Sequence, residues 1–193
     1  MLIGNKNSLW VKSQDLTLYE NLILKSEAFN LSPWARYGCS VSANVINSPF
    51  DDMVADKLVE NSTTTTHYAV QTNIYTVVDL EYNLSCYVKS SGDGRTFKIL
   101  VNARGNLEIF FNPDTETFYT SGTIISSNYT NEGDGWYRVD MTFTPNSTGN
   151  KVVLFQLYDG VEQSYLGDGV SGVYVFGSQL TQTDTVKLYN PNL

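Results

Sequence analysis

Apolar and polar side chains alternate along much of this 193-residue chain, the two-residue period of a half-buried strand. Over residues 82–90, Tyr82, Leu84, Cys86 and Val88 share one face, and Asn83, Ser85, Tyr87 and Lys89 share the other. Over 95–103, Phe97, Ile99 and Val101 alternate with Thr96, Lys98 and Asn102, although Leu100 interrupts the polar face. Over 136–144, Tyr137, Val139, Met141 and Phe143 oppose Trp136, Arg138, Asp140 and Thr142. The same reading predicts strands over 39–45, 54–60, 67–77, 106–112, 117–124, 150–158 and 172–180. No segment sustains a 3.6-residue apolar period, so no helix is expected.

Turn residues separate these runs: Ser91-Gly92-Asp93-Gly94, Asn112-Pro113-Asp114, Gly133-Asp134-Gly135, Pro145 to Gly149, and Asp159-Gly160. Strands at this spacing predict an all-β fold of two packed antiparallel sheets, a β-sandwich or jelly roll. The sandwich is expected over 21–182, preceded by an N-terminal arm over 1–20 and followed by a C-terminal tail over 183–193.

One stretch points elsewhere at first reading. Gly167-Asp168-Gly169-Val170-Ser171-Gly172 spells G-x-G-x-x-G, the fingerprint of a dinucleotide-binding turn. That turn must open a helix, whose N-terminal amides hold the pyrophosphate. Here it opens Val173-Tyr174-Val175-Phe176, a strand pattern, and 21 residues follow Gly172. The glycines are therefore expected to serve positive φ and close backbone approach before the last core strand.

Composition agrees with β structure: 13 Tyr, 9 Phe and 14 Gly, with 3 Met. A formal charge of -8 argues against a nucleic-acid partner. No apolar run is long enough to cross a bilayer, and the N-terminus lacks a signal-peptide core. The expectation is a soluble protein with no membrane partner, made in a cytoplasm with Cys39 and Cys86 reduced.

Several blocks together carry a resemblance. They are Asn21-Leu22 with Ser26-Glu27 and Phe29, then Trp34; Ala55-Asp56-Lys57-Leu58; Ser85, Tyr87, Val88 and Lys89; Gly133-Asp134-Gly135-Trp136-Tyr137-Arg138; and the run from Ser164-Tyr165 through Gly172 to Gln179-Leu180. In order and spacing they resemble the carbohydrate-binding-module-like jelly-roll domains of bacteriophage virion proteins, over residues 21–180. Where such domains usually carry Pro-Asp-Gly before the Ala-Asp-Lys strand, this chain has Pro49-Phe50-Asp51-Asp52. The resemblance implies a galactose-binding-like sandwich on a virion surface, synthesised in the host cytoplasm.

Sugar-binding surfaces are built from exposed rings with hydrogen-bonding neighbours. The candidate glycan-binding residues are Trp136, Arg138, Tyr165 and Tyr129. Alternation turns Trp136 away from Tyr137 and Val139, beside Arg138 and Asp140, as a stacking platform requires; the same ring could instead pack under a loop. Asp51, Asp52, Asp134 and Asp168 could supply oxygens to a structural calcium, but Asp beside Gly is ordinary turn chemistry. No metal site and no cofactor are expected. His67 stands alone, no G-x-S-x-G turn occurs, and no carboxylate pair is singled out, so no catalytic residue is assigned.

The arm carries Leu9, Trp10, Val11, Leu16 and Tyr19. It reads either as an extra strand or as a docking arm whose Trp anchors in a partner. The first expectation is thus a non-enzymatic virion protein that decorates or cements a capsid or tail. Its partners would be the major capsid protein or other virion proteins, and further copies of itself, for instance in a trimer. The alternative is a glycan-binding module at a tail-fibre tip or in an adhesin.

Overall fold

In the computed structural model, which describes residues 19–51, 54–160 and 162–193, every segment marked by alternation contains a strand. In chain order the strands are β1 (Ala35–Tyr37), β2 (Cys39–Ile46), β3 (Ala55–Glu60), β4 (Thr64–Thr65), β5 (His67–Thr76), β6 (Tyr82–Ser90), β7 (Thr96–Asn102), β8 (Asn106–Asn112), β9 (Thr117–Ser121), β10 (Ser126–Gly133), β11 (Trp136–Phe143), β12 (Gly149–Tyr158), β13 (Tyr165–Leu166) and β14 (Gly172–Thr181). Leu9, Trp10, Val11 and Leu16 of the arm lie outside the described residues, as does Asp52.

Sheet I runs β1-β5-β12-β7-β8-β9 and sheet II runs β10-β11-β6-β14-β3-β2; the small β13-β4 pair stands apart. All pairings within the two sheets are antiparallel. The fold is the all-β sandwich that the alternation predicts. β10 has no such signal, because its sequence is mostly polar; it follows β11 along its length and ends in a bulge between Asn131 and Gly133.

The inward halves of the alternating strands meet between the sheets. Phe97, Ile99 and Val101 of β7 and Val153, Phe155 and Leu157 of β12 face Leu84, Cys86 and Val88 of β6 and Val139, Met141 and Phe143 of β11, all fully buried. Burying such a side chain is worth about 1.5–3 kcal/mol, so this layer dominates the stability. Residues 21–34 close one side of it. Phe29 and Trp34 enter the core, Trp34 stacks on Phe155 at 5.4 Å, and its indole N–H donates to the Lys25 carbonyl at 3.0 Å.

The G-x-G-x-x-G glycines are explained by contact. A Cβ on Gly167 would lie 2.0 Å from the Asn61 carbonyl oxygen, and one on Gly172 would lie 1.9 Å from that of Leu58. A Cβ on Gly169 would make only ordinary contact, 3.8 Å from Ser62, but its φ is +83°. Asp168 ties the turn by accepting hydrogen bonds from the Val170 and Ser171 amides and the Ser171 hydroxyl at 2.8, 2.7 and 2.6 Å.

The two outer faces differ. The tail folds back over sheet II: Tyr189 packs against Phe176, Tyr87 and Phe50, and the Asn190 amide donates to Gln179 Oε1 at 2.6 Å. Asn192 Nδ2 donates to the Asn21 carbonyl at 2.8 Å, so the tail lies beside the first described residues. On sheet I, by contrast, Tyr37, Tyr68, Val70, Leu154, Glu108 and Tyr119 of the outer face all keep contact with solvent.

Candidate functional site

The outer face of sheet I carries one row of side chains. In register across all six strands lie Tyr37, Tyr68, Gln156, Lys98, Phe110 and Tyr119. Each sits at an outward position of its strand, and strand pairing alone brings them together. Five inter-strand steps of about 4.8 Å make the row roughly 24 Å long.

Rings stand at both ends. Tyr37 stacks on Tyr68 with centroids 5.4 Å apart, and Tyr119 on Phe110 at 4.5 Å. The terminal rings are open to solvent, Tyr37 at 54 % and Tyr119 at 45 %. Exposure falls toward the middle, where Gln156 is 1 % and Lys98 2 % exposed. Lys98 Nζ sits 3.1 Å from Glu108 and over the rings of Tyr158 and Phe110 at 5.2 and 5.8 Å. Its charge is thereby matched within the face. Burial, with Glu108 nearby, pushes the Tyr158 phenol up to about 12. Burial and the neighbouring Tyr158 and Glu108 also raise Tyr119. Both phenols therefore remain O–H donors at neutral pH. The arrangement offers flat apolar surfaces and hydrogen-bonding groups.

The residues singled out in the sequence lie elsewhere. Trp136 is 1 % exposed, packed with Ala55, Tyr87 and Phe176 under the tail's side of sheet II. Trp136 is thus a packing residue and not a stacking platform, because its outward position belongs to the covered face of sheet II. Arg138 is also buried on sheet II; its guanidinium lies over Tyr87 at 5.1 Å and donates to Ser85 Oγ at 2.9 Å. Tyr129 faces inward against Phe111, Phe118 and Tyr137. Tyr165 is buried in β13, with its hydroxyl donating to Glu60 at 2.6 Å. The four do not converge. Tyr19 is half-buried, with Lys187 5.0 Å over its ring.

His67 is fully buried, its ring nitrogens facing the carbonyls of Gly38 and Tyr165. Cys39 and Cys86 are free thiols. Among the described residues no group of three or more His, Cys, Asp or Glu is placed to hold a metal ion. Asp134 is paired with Lys89 at 3.1 Å, and the oxygens of Asp168 are occupied by its own turn.

Alternation gave no sign of a buried ion pair. The Glu60 side chain is wholly buried and takes Arg95 Nε and Nη2 at 2.7 and 2.8 Å, the Tyr165 hydroxyl, and the Asp168 amide at 2.9 Å. Burial alone would raise its carboxyl; these donors outweigh it and hold the group below the usual range.

Comparison with known proteins identifies the fold's family. The model of the family described as "Carbohydrate binding domain" matches residues 20–158. The chain belongs to the carbohydrate binding domain family. That span contains all six strands of sheet I, and hence the whole row. Among solved structures, the enzymatically active domain of tailspike protein 4 from bacteriophage CBA120 is similar at 11 % identity and a TM-score of 0.54. The match covers 84 % of this chain and 21 % of that one, so this carbohydrate binding domain spans about a fifth of the tailspike chain. The CBM22-1 xylan-binding domain from Paenibacillus barcinonensis Xyn10C is similar at 11 % identity, covering 87 % of this chain and 97 % of that one, with a TM-score of 0.49. TmCBM61, solved with beta-1,4-galactotriose, is similar at 10 % identity, covering 85 % and 99 %, with a TM-score of 0.48. These likenesses are of fold. No curated protein matches the chain. The family match supports the glycan-binding alternative of the sequence reading and gives no support to capsid cementing.

Proposed function

We propose that the chain is a non-catalytic module that lays a glycan across the outer face of sheet I, between Tyr37 and Tyr119. The observation that carries this reading is the in-register row, with an exposed, backed ring at each end. The C–H faces of pyranose rings stack on aromatic side chains, and a ring already held by a neighbour loses little freedom on doing so. The family match supports the reading independently, since it spans the strands that bear the row.

Calorimetric titration with neutral polysaccharides and their oligomers (xylan, hydroxyethylcellulose, β-1,4-galactan) tests it. At least one ligand should bind, and Tyr37→Ala and Tyr119→Ala should each weaken it about tenfold while the circular dichroism spectrum stays unchanged. No binding across the panel, or binding that survives both substitutions, would overturn the reading.

A further inference from the structure

The row's own polar groups are already engaged. Gln156 Nε2 donates to the Gln163 carbonyl at 3.3 Å, and Lys98 is held by Glu108 and two rings. With exposures of 1 % and 2 %, neither is open to a sugar hydroxyl. What stands over Gln156, in the middle of the row, is the turn after β12. The Glu162 amide donates to the Asp159 carbonyl at 3.1 Å, and the two residues form an antiparallel bridge. Gln163 then rests on Gln156. The side chains of Glu162 and Gln163 are exposed, and neither is hydrogen-bonded or ion-paired to another described residue.

The turn is also held from behind. Arg95 Nη1 lies 3.0 Å from Asp159 Oδ1, while the other guanidinium nitrogens grip the buried Glu60 and the group lies 5.3 Å over the Tyr165 ring. Exposed polar groups next to apolar walls are what orients a ligand in a site.

Resting on the glycan-binding reading, we infer that Glu162 and Gln163 read the hydroxyl pattern of the bound glycan, and that Asp159, through Arg95, is their positioning residue. A carboxylate there accepts sugar O–H groups and repels a uronate or other carboxylated sugar. The site therefore discriminates against acidic glycans.

Affinity electrophoresis of the full chain through neutral and carboxymethylated forms of the same polysaccharide (hydroxyethylcellulose against carboxymethylcellulose, xylan against carboxymethylxylan) tests this. Glu162→Gln should bring the two affinities about threefold closer, and Gln163→Ala should weaken the neutral ligand about threefold. Asp159→Asn should weaken it similarly, with Asp159→Glu restoring it. If these variants leave both affinities unchanged while Tyr37→Ala and Tyr119→Ala still weaken binding about tenfold, the inference fails and the glycan reading stands. If the unmodified chain binds nothing in the panel, both fall.

Discussion

Tyr119 lies flat on Phe110, with planes 9° apart and centroids separated by 4.5 Å. The two residues come from the paired strands β8 and β9 and stand at the same register position. Phe110 is 8 % exposed and Tyr119 45 %, so one ring is the backing and the other the contact surface. Stacking belongs to the ring and not to the hydroxyl. Tyr119→Phe should hold glycan affinity within about twofold, while Tyr119→Ala loses about tenfold. Calorimetry on the two variants separates the contributions; equal losses would assign the effect to the phenol.

Trp136 should behave as a packing residue. Trp136→Ala should cost about 3–5 kcal/mol and lower Tm by about 10 °C or more. Among the described residues its indole nitrogen has no hydrogen-bond partner, so Trp136→Phe removes an unsatisfied donor and should cost less than half as much. Thermal melts give the ordering. Glycan affinity of whatever remains folded should not change.

The three glycines of the Gly167–Gly172 turn should differ in tolerance. Alanine at Gly172 or Gly167 would meet a backbone oxygen at 1.9 or 2.0 Å, forcing main-chain movement at about 3 kcal/mol or more. Alanine at Gly169 meets nothing closer than 3.8 Å and pays only for its left-handed φ, about 1–2 kcal/mol. Denaturant unfolding of the three variants tests the order.

Stability should peak on the acid side of neutrality. Burial pushes the Asp56 carboxyl up to about 6, against the Asn44 and Phe29 amides that pull it down, and burial also raises Asp140. A carboxyl with a raised folded-state pKa loses stability as pH climbs from its ordinary value, 3.8, to the folded one. Glu60 and Asp168, held low by their hydrogen bonds, act oppositely: their contribution disappears as pH falls below about 4. Tm should therefore rise as pH drops from 7 to about 5 and fall below about 4. Asp56→Asn should shrink the upper limb. A Tm that climbs steadily from pH 4 to 7 would contradict this account.

Alternation was enough to place the sandwich, because a strand buried on one side writes its orientation into every second residue. It failed for β10, whose polar residues carry no period, and for the short β1, β4 and β13. The site was less legible. Outward aromatics at Tyr68, Phe110, Tyr119 and Trp136 look alike along the chain. What separates them is which sheet each joins and which face the tail covers, and both depend on contacts between residues far apart in sequence. The row itself joins Tyr37 to Gln156 through strand order, which no single segment specifies. The Glu60–Arg95 pair escaped for the same reason: the residues are 35 positions apart, one at the end of β3 in sheet II and the other just before β7 of sheet I.

The final residues act as a lid nailed to the back of the molecule. Trimming by a protease at Gln182 would strip Tyr189 from Phe176, Tyr87 and Phe50, baring a second, sticky patch of rings. Such a clipped species would clump or cling indiscriminately, so assays of sugar recognition should begin by checking that the C-terminus is intact.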